Sequence, residues 1–353
     1  MKDILPWLWD DALLEGLVHE LPVILLIGVM GACIVVLLKG ADLMIDGVVK
    51  TAHRTGLPNI VIGATIVSLG TTTPEAVVSV MAAWTGNSGL ALGNGVGSII
   101  ADTGLIFGIT ALITNVPVNR FILNRTGWVQ FGSATLLVII SLIAMGVTNG
   151  VPILGRRVGV FFLLLLGGYM YVTYVWARQG STSALVAEEE RISDTAGLTK
   201  CLSMILGGIF LVVVGARVLV PSAVAIAYRI GVPEDIVAAT MVALGTSLPE
   251  LMTAIAAVRK GHPEIMVGNV VGADVLNCLF VIGAAAAAKP LVVPSNFFSF
   301  HFPAMILILY SFRAFIFINK DGFFRKWQGA WLLVVYLTYL ILQYAFNVGT
   351  VQS

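Results

Sequence analysis

Charge is what this chain lacks most. Only 11% of its 353 residues are Asp, Glu, Lys or Arg, against about 25% in soluble domains, while 58% are hydrophobic. With a mean hydropathy of +0.97, the composition is that of an integral membrane protein. Net charge is +1, and no basic tail or patch points to nucleic acid. Cysteine is scarce: Cys33, Cys201 and Cys278 sit in apolar surroundings without metal-type spacing, which excludes a disulfide framework and a zinc site and leaves core packing. Histidine is scarce too. His19, His53, His262 and His301 make no serine–histidine or metal–histidine arrangement, so no enzyme is expected. The N-terminus has no basic region leading into a short apolar core, so no cleavable signal peptide is expected.

What the chain has is long apolar runs. A span needs about 20 apolar residues, and ten candidates meet that measure: 22–39, 59–84, 90–113, 128–147, 156–177, 199–220, 235–258, 264–288, 298–318 and 327–346. Residues 1–21, with Trp7 and Trp9 among acids, read as an interfacial segment; 178–198, with Glu188-Glu189-Glu190, reads as a solvated linker. Thirteen Lys/Arg fall on one side of these spans and five on the other. That asymmetry puts the richer side in the cytoplasm and both termini outside, as in a bacterial inner membrane.

Within the apolar runs stand two polar stretches that hydrocarbon would not tolerate idly. They are Gly70-Thr71-Thr72-Thr73-Pro74-Glu75 and Gly245-Thr246-Ser247-Leu248-Pro249-Glu250. An intramembrane carboxylate costs several kcal/mol and marks a functional site by default. The stretches belong to a duplication: a shift of 175 positions aligns 64–111 with 239–286 without a gap. Five spans separate the copies, so their orientations in the membrane must be opposite. The fold expected is therefore all-α, ten transmembrane helices in two inverted-topology five-helix repeats, 22–177 and 199–353. Such repeats belong to secondary transporters, with the site near the midplane.

Pro74 cannot donate to the carbonyl of Gly70, so a break is expected there, with backbone oxygens turned toward a ligand. Hydroxyls of Thr71, Thr72 and Thr73 and the carboxylate of Glu75 would join them, and Thr246, Ser247 and Glu250 would do the same in the second copy. An all-oxygen set with two carboxylates suits calcium or sodium better than zinc or copper. The plainer reading of Thr-Pro-Glu is a helix start, with a hydroxyl cap, proline in the first turn and an acid favoured by the dipole. The two readings are compatible. The following spans carry Gly93-Asn94-Gly95-Val96-Gly97-Ser98 on to Asp102, and Gly268-Asn269-Val270-Val271-Gly272-Ala273-Asp274 on to Asn277. Their glycines also suit close helix packing. Asp102 and Asn277 each lie 27 residues beyond their glutamate. Asp274 is a further acid, about 60° from Asn277 on an ideal helix, and faces either the same site or another partner. Spans near 128–177 and 298–346 read as scaffold; Arg217 reads as a snorkelling or gate residue.

These paired blocks, SLGTTTPE…GNGVGSIIAD and ALGTSLPE…GNVVGADVLN, resemble the alpha repeats of the calcium/cation antiporter superfamily, and most of all prokaryotic sodium/calcium exchanger proteins. The resemblance implies antiport of sodium against calcium by alternating access, with four ion sites between the second, third, seventh and eighth helices. Glu75 and Glu250 would be the central calcium ligands, joined by carbonyls of Thr71 and Thr246. Sodium sites would use Thr71, Thr72, Ser98, Thr246, Ser247 and backbone oxygen near Ser68 and Ala243, with Asp102 and Asn277 at the middle. Two positions depart from the pattern: some members have the amide in the first repeat and the acid in the second, and Ala273 stands where serine would match Ser98. Calcium and sodium would be transported substrates rather than cofactors, and a monomer could suffice. A calcium/proton antiporter, a potassium-dependent exchanger and, more distantly, a cation channel or intramembrane aspartyl protease are the alternatives.

Overall fold

The computed structural model describes residues 20–55, 57–118, 120–147, 151–181, 197–230, 247–319 and 322–345, and Gly16. Among them the chain forms ten helices: α1 (Val23–Thr55), α2 (Asn59–Thr85), α3 (Ser88–Ile113), α4 (Arg120–Val147), α5 (Arg156–Ser181), α6 (Leu198–Arg229), α7 (Leu248–Arg259), α8 (Pro263–Ala288), α9 (Phe297–Ile318) and α10 (Lys326–Ala345). Eight are long and apolar enough to cross a membrane; α7, with 12 described residues, and α10 are the others. The all-helical reading needs one amendment, a two-residue strand pair in the connections. The interfacial segment 1–21 lies almost wholly, and the linker 178–198 largely, outside the described residues.

The first span is longer than its apolar run. A helix was expected to end at 39, yet α1 continues to Thr55. The cause is packing: Ala41, Met44, Ile45 and Val48 in the polar-looking extension are fully buried. At about 1.5 Å per residue, 33 residues make a rod of about 50 Å, longer than the hydrocarbon core.

Glycine decides how the helices meet. A Cβ on Gly268 would lie 2.1 Å from the Ile60 carbonyl oxygen, one on Gly272 2.6 Å from that of Ala64, and one on Gly63 2.6 Å from that of Ile265. Only bare backbone lets α2 and α8 cross this closely. The same device pairs α1 with α6, where Gly208 faces the Gly40 carbonyl and Gly47 faces Cys201. Gly108 of α3 abuts Gly329 of α10, and Gly159 of α5 abuts Gly283 of α8. All three cysteines are buried and unpaired, as their surroundings suggested.

Short backbone ties close the ends. The strands Ile153–Leu154 and Leu291–Val292 pair antiparallel, joining the α4–α5 and α8–α9 connections. Pro117 and Phe323 bridge the α3–α4 and α9–α10 connections, with the Val118 N–H donating to the Gly322 carbonyl at 2.7 Å.

Candidate ion-binding site

The Gly70–Glu75 stretch corrects the sequence reading: α2 runs from Ser68 to Thr85 without interruption, with Pro74 inside it. The helix passes its own proline with the loss of one donor, the one that would meet the Gly70 carbonyl. Thr73 Oγ1 donates to the Leu69 carbonyl at 2.6 Å, and Thr71 Oγ1 to those of Val67 and Ser68 at 3.2 and 3.3 Å. These hydroxyls are thereby held against their own helix. The irregularity appears one turn earlier, as a widened π-helical turn over Gly63–Val67. Thr73 is exposed and spent on Leu69, so it leaves the expected cage.

The second copy shows the helix start instead. α7 begins at Leu248 after Ser247, with Pro249 and Glu250 in its first turn. Thr246 and Ala243 lie outside the described residues.

The other named residues largely converge. Thr71, Thr72 and Ser68 have no exposed surface, and Glu75, Glu250, Asp102 and Asn277 are 1% exposed. Ser98 and Ser247 are buried too. Thr72 Oγ1 donates to Glu250 Oε1 at 3.5 Å, bringing the two motifs together. Asn277 Nδ2 donates to Asp102 Oδ2 at 3.4 Å. Both residues open a π-helical turn, Asp102–Phe107 in α3 and Asn277–Val281 in α8. Ser68 packs against Gly272, where a Cβ would lie 2.6 Å from its Oγ.

Two asparagines absent from the expected ligand set hold the glutamates' backbone. Asn94 Nδ2 donates to the Glu75 carbonyl at 3.0 Å and to Ser79 Oγ at 2.9 Å. Asn269 Nδ2 donates to Thr253 Oγ1 at 3.0 Å, and Thr253 Oγ1 donates to the Glu250 carbonyl at 2.9 Å. Asn94 and Asn269 match at the 175-residue shift, and their recurrence as amides in apolar spans was the available signal.

Asp274 is held from two helices. Its Oδ2 accepts from Gln130 Nε2 of α4 at 2.6 Å and from Thr103 Oγ1 of α3, the residue after Asp102. One of its oxygens thus meets α4, while Oδ1 stays without a donor. Gln130 amends the reading of 128–177 as scaffold, for it is buried in α4 and donates to Asp274.

What the site can do follows from its unmet oxygens. Glu75 Oε2, Glu250 Oε2, Asp102 Oδ1, Asp274 Oδ1, Asn94 Oδ1, Asn277 Oδ1 and Ser247 Oγ are buried without a hydrogen-bond partner. A buried acceptor left unmade costs about 1–3 kcal/mol, more when charged, so these seven together call for a bound cation. Among the described residues no three Asp, Glu, His or Cys side chains converge as a metal centre. Hydroxyl, amide and backbone oxygens must therefore complete any shell, which is the habit of calcium and sodium.

Comparison with known proteins bears on the same residues. The family model described as sodium/calcium exchanger protein matches residues 25–175 and 200–345. The sodium/calcium exchanger MaX1 of Methanosarcina acetivorans is 30% identical over 338 residues, 88% of this chain and 95% of that protein. The inner membrane protein YrbG of Escherichia coli is 31% identical over 272 residues, 76% of this chain and 81% of its own length. A structure of the sodium–calcium exchanger NCX_Mj, soaked with sodium and strontium, superposes with a TM-score of 0.76 at 25% identity, covering 91% of this chain and 99% of that one.

Proposed function

We propose, for a chain that belongs to the sodium/calcium exchanger protein family, that it is a secondary active antiporter exchanging sodium for calcium across a membrane. The observation that carries this reading is the pair Glu75 and Glu250, each buried with an oxygen that meets no donor, tied across the motifs through Thr72. In this reading both ions compete for one set of oxygens. Calcium bound between two carboxylates leaves when sodium replaces it, so the ions occupy the site in turn and exchange follows. Neutralisation by the bound ion lets the loaded site change exposure past hydrocarbon.

We assign calcium ligation to Glu75 and Glu250, with backbone oxygens of Thr71 and Thr246 completing the shell. Sodium is assigned to oxygens of Thr71, Thr72, Ser98, Thr246, Ser247, Ser68 and Ala243, with Asp102 and Asn277 between. Asp274 is assigned a supporting place beside this set, because Gln130 and Thr103 already donate to its Oδ2. The two halves act as inverted repeats. In support, one family model matches two stretches of similar length, and π-helical turns begin at both Asp102 and Asn277. The chain lies in the inner membrane with both termini outside, as its Lys/Arg asymmetry favours.

Calcium-45 uptake into proteoliposomes tests the reading. Uptake should follow an imposed sodium gradient and vanish without one. Uptake driven by a pH gradient in sodium-free buffer would instead establish proton coupling, and a requirement for potassium a potassium-dependent exchanger.

A further inference from the structure

Next to the ion motif, α6 and α2 meet through one side chain packed against a bare glycine. A Cβ on Gly70 would lie 2.3 Å from Ile209 Cδ1, 3.0 Å from its Cγ1 and 3.2 Å from its Cγ2. Ile209 thus sits in the notch left by the missing side chain of Gly70. That notch is the first position of the ion motif: Gly70 precedes Thr71 and Thr72, both without exposed surface, and its carbonyl faces the N–H that Pro74 lacks. Isoleucine suits such a seat, because its branched Cβ restricts χ1 and the side chain presents a stiff apolar face.

Ile209 is carried by a helix packed backbone to backbone on α1. Gly208, beside it, abuts the Gly40 carbonyl oxygen at 2.6 Å and the Met44 N at 2.7 Å, measured from a built Cβ. Gly47 meets the Cys201 carbonyl and Gly215 meets Leu37. α1 and α6 are therefore locked backbone to backbone, while α6 meets the ion-bearing α2 by a side chain in a notch. The position matching Ile209 at the 175-residue shift is Ile34 of α1, and it is 45% exposed.

We infer that Ile209 is a positioning residue for transport: its side chain in the Gly70 notch seals the oxygens of Thr71 and Thr72, and opening the site requires it to leave. The inference rests on the antiport reading above, since a site that is never exposed transports nothing. Apolar contact suits the role, because it excludes water from the oxygens yet leaves no unmade hydrogen bond when it parts.

Three variants test this. Gly70→Ala should lower exchange, although alanine is the better helix former by about 1 kcal/mol, so weakened helix would not account for the loss. The double variant Gly70→Ala/Ile209→Val removes Cδ1, the atom the new methyl would strike, and should recover most of that exchange. Ile209→Ala should fold and bind calcium, but release bound calcium-45 into sodium-free buffer faster by about tenfold, given the cavity that truncating a packed isoleucine leaves. Alkylation of Ile209→Cys should slow when calcium is bound, with little background because the native cysteines are buried. An uncorrected Gly70→Ala loss, or wild-type release from Ile209→Ala, overturns the inference. Release and alkylation do not depend on the coupling ion. Failure of the sodium/calcium reading would therefore appear separately, as wild-type protein without sodium-driven uptake.

Discussion

Asn277 donates its amide to the carboxylate of Asp102 at 3.4 Å, and the two residues stand 175 positions apart, the period of the internal duplication. Matched positions of two repeats touch only where the axis relating them passes. The one residue pair in which the repeats differ as acid and amide thus lies at the centre of the site rather than at its edge.

The exchange Asp102→Asn/Asn277→Asp should therefore keep most transport, since it returns the same acid and amide to the same contact with the roles reversed. Asp102→Asn alone should weaken sodium dependence, because it removes a charge and sets two amides together. Sodium-dependence curves of calcium-45 uptake for the three proteins check this; a double variant as impaired as the single one rejects the symmetry argument.

Glu75→Gln and Glu250→Gln should each abolish measurable exchange. Removing one member of a buried charge set costs about 3–5 kcal/mol, on the order of 100-fold or more in calcium affinity. The check is calcium binding by isothermal titration alongside uptake. Retained exchange in either variant would remove that glutamate from the ligand set.

Asp274 should separate from the other acids. Asp274→Asn leaves an amide oxygen to accept from Thr103 and Gln130, so exchange should persist. Asp274→Ala strands both donors, at about 1–3 kcal/mol for each buried group left unpaired, and should lower the thermal midpoint in detergent. Loss of exchange in Asp274→Asn comparable to Glu75→Gln would put Asp274 in the ion site after all.

Gly268→Ala should cost more than a surface substitution of equal size. Its methyl would meet the Ile60 carbonyl oxygen at 2.1 Å, and backbone cannot step aside. Overpacking of this kind costs about 1–3 kcal/mol, while Gly97→Ala in the matched helix meets nothing within 4 Å and serves as the control. Thermal unfolding and uptake of the two variants should diverge.

Lys260 and Asp46 form the opposite case. Their ion pair at 2.5 Å links the α7–α8 turn to α1, with side chains 26% and 48% exposed. Lys260→Ala should change stability by no more than about 1 kcal/mol, read as a small shift in thermal midpoint.

Several elements were legible in the chain because one local cause sufficed. Apolar runs of spanning length announce helices wherever they occur, and α3, α5, α8, α9 and α10 lie close to their expected limits, while α4 begins eight residues early. The polar motifs stood out because carboxylates in hydrocarbon are costly wherever the chain later folds. Where two causes competed, the sequence misled. Pro74 argued for a break in α2, but proline removes only one donor from a buried, packed helix, and α2 runs on past it. The polar stretch after 39 argued for a loop, but burial of Met44 and Ile45 against α6 keeps α1 helical.

The amino-acid sequence by itself determined that this protein lives in a membrane, that part of it is duplicated, and that two glutamates stand at matched positions inside apolar runs. Each of these rests on composition, period or the cost of a charge in hydrocarbon, none of which needs a partner to be specified. Only the tertiary structure decided which oxygens remain unmet, that Asp274 accepts from Gln130, that Asn94 and Asn269 brace the glutamates, and that Ile209 fills the place of a side chain Gly70 does not have. Several of these join residues far apart in the chain, as with Gln130 and Asp274, 144 positions apart. Helix crossings set by bare glycine backbone bring them into contact, and no local pattern in the chain encodes such a distance.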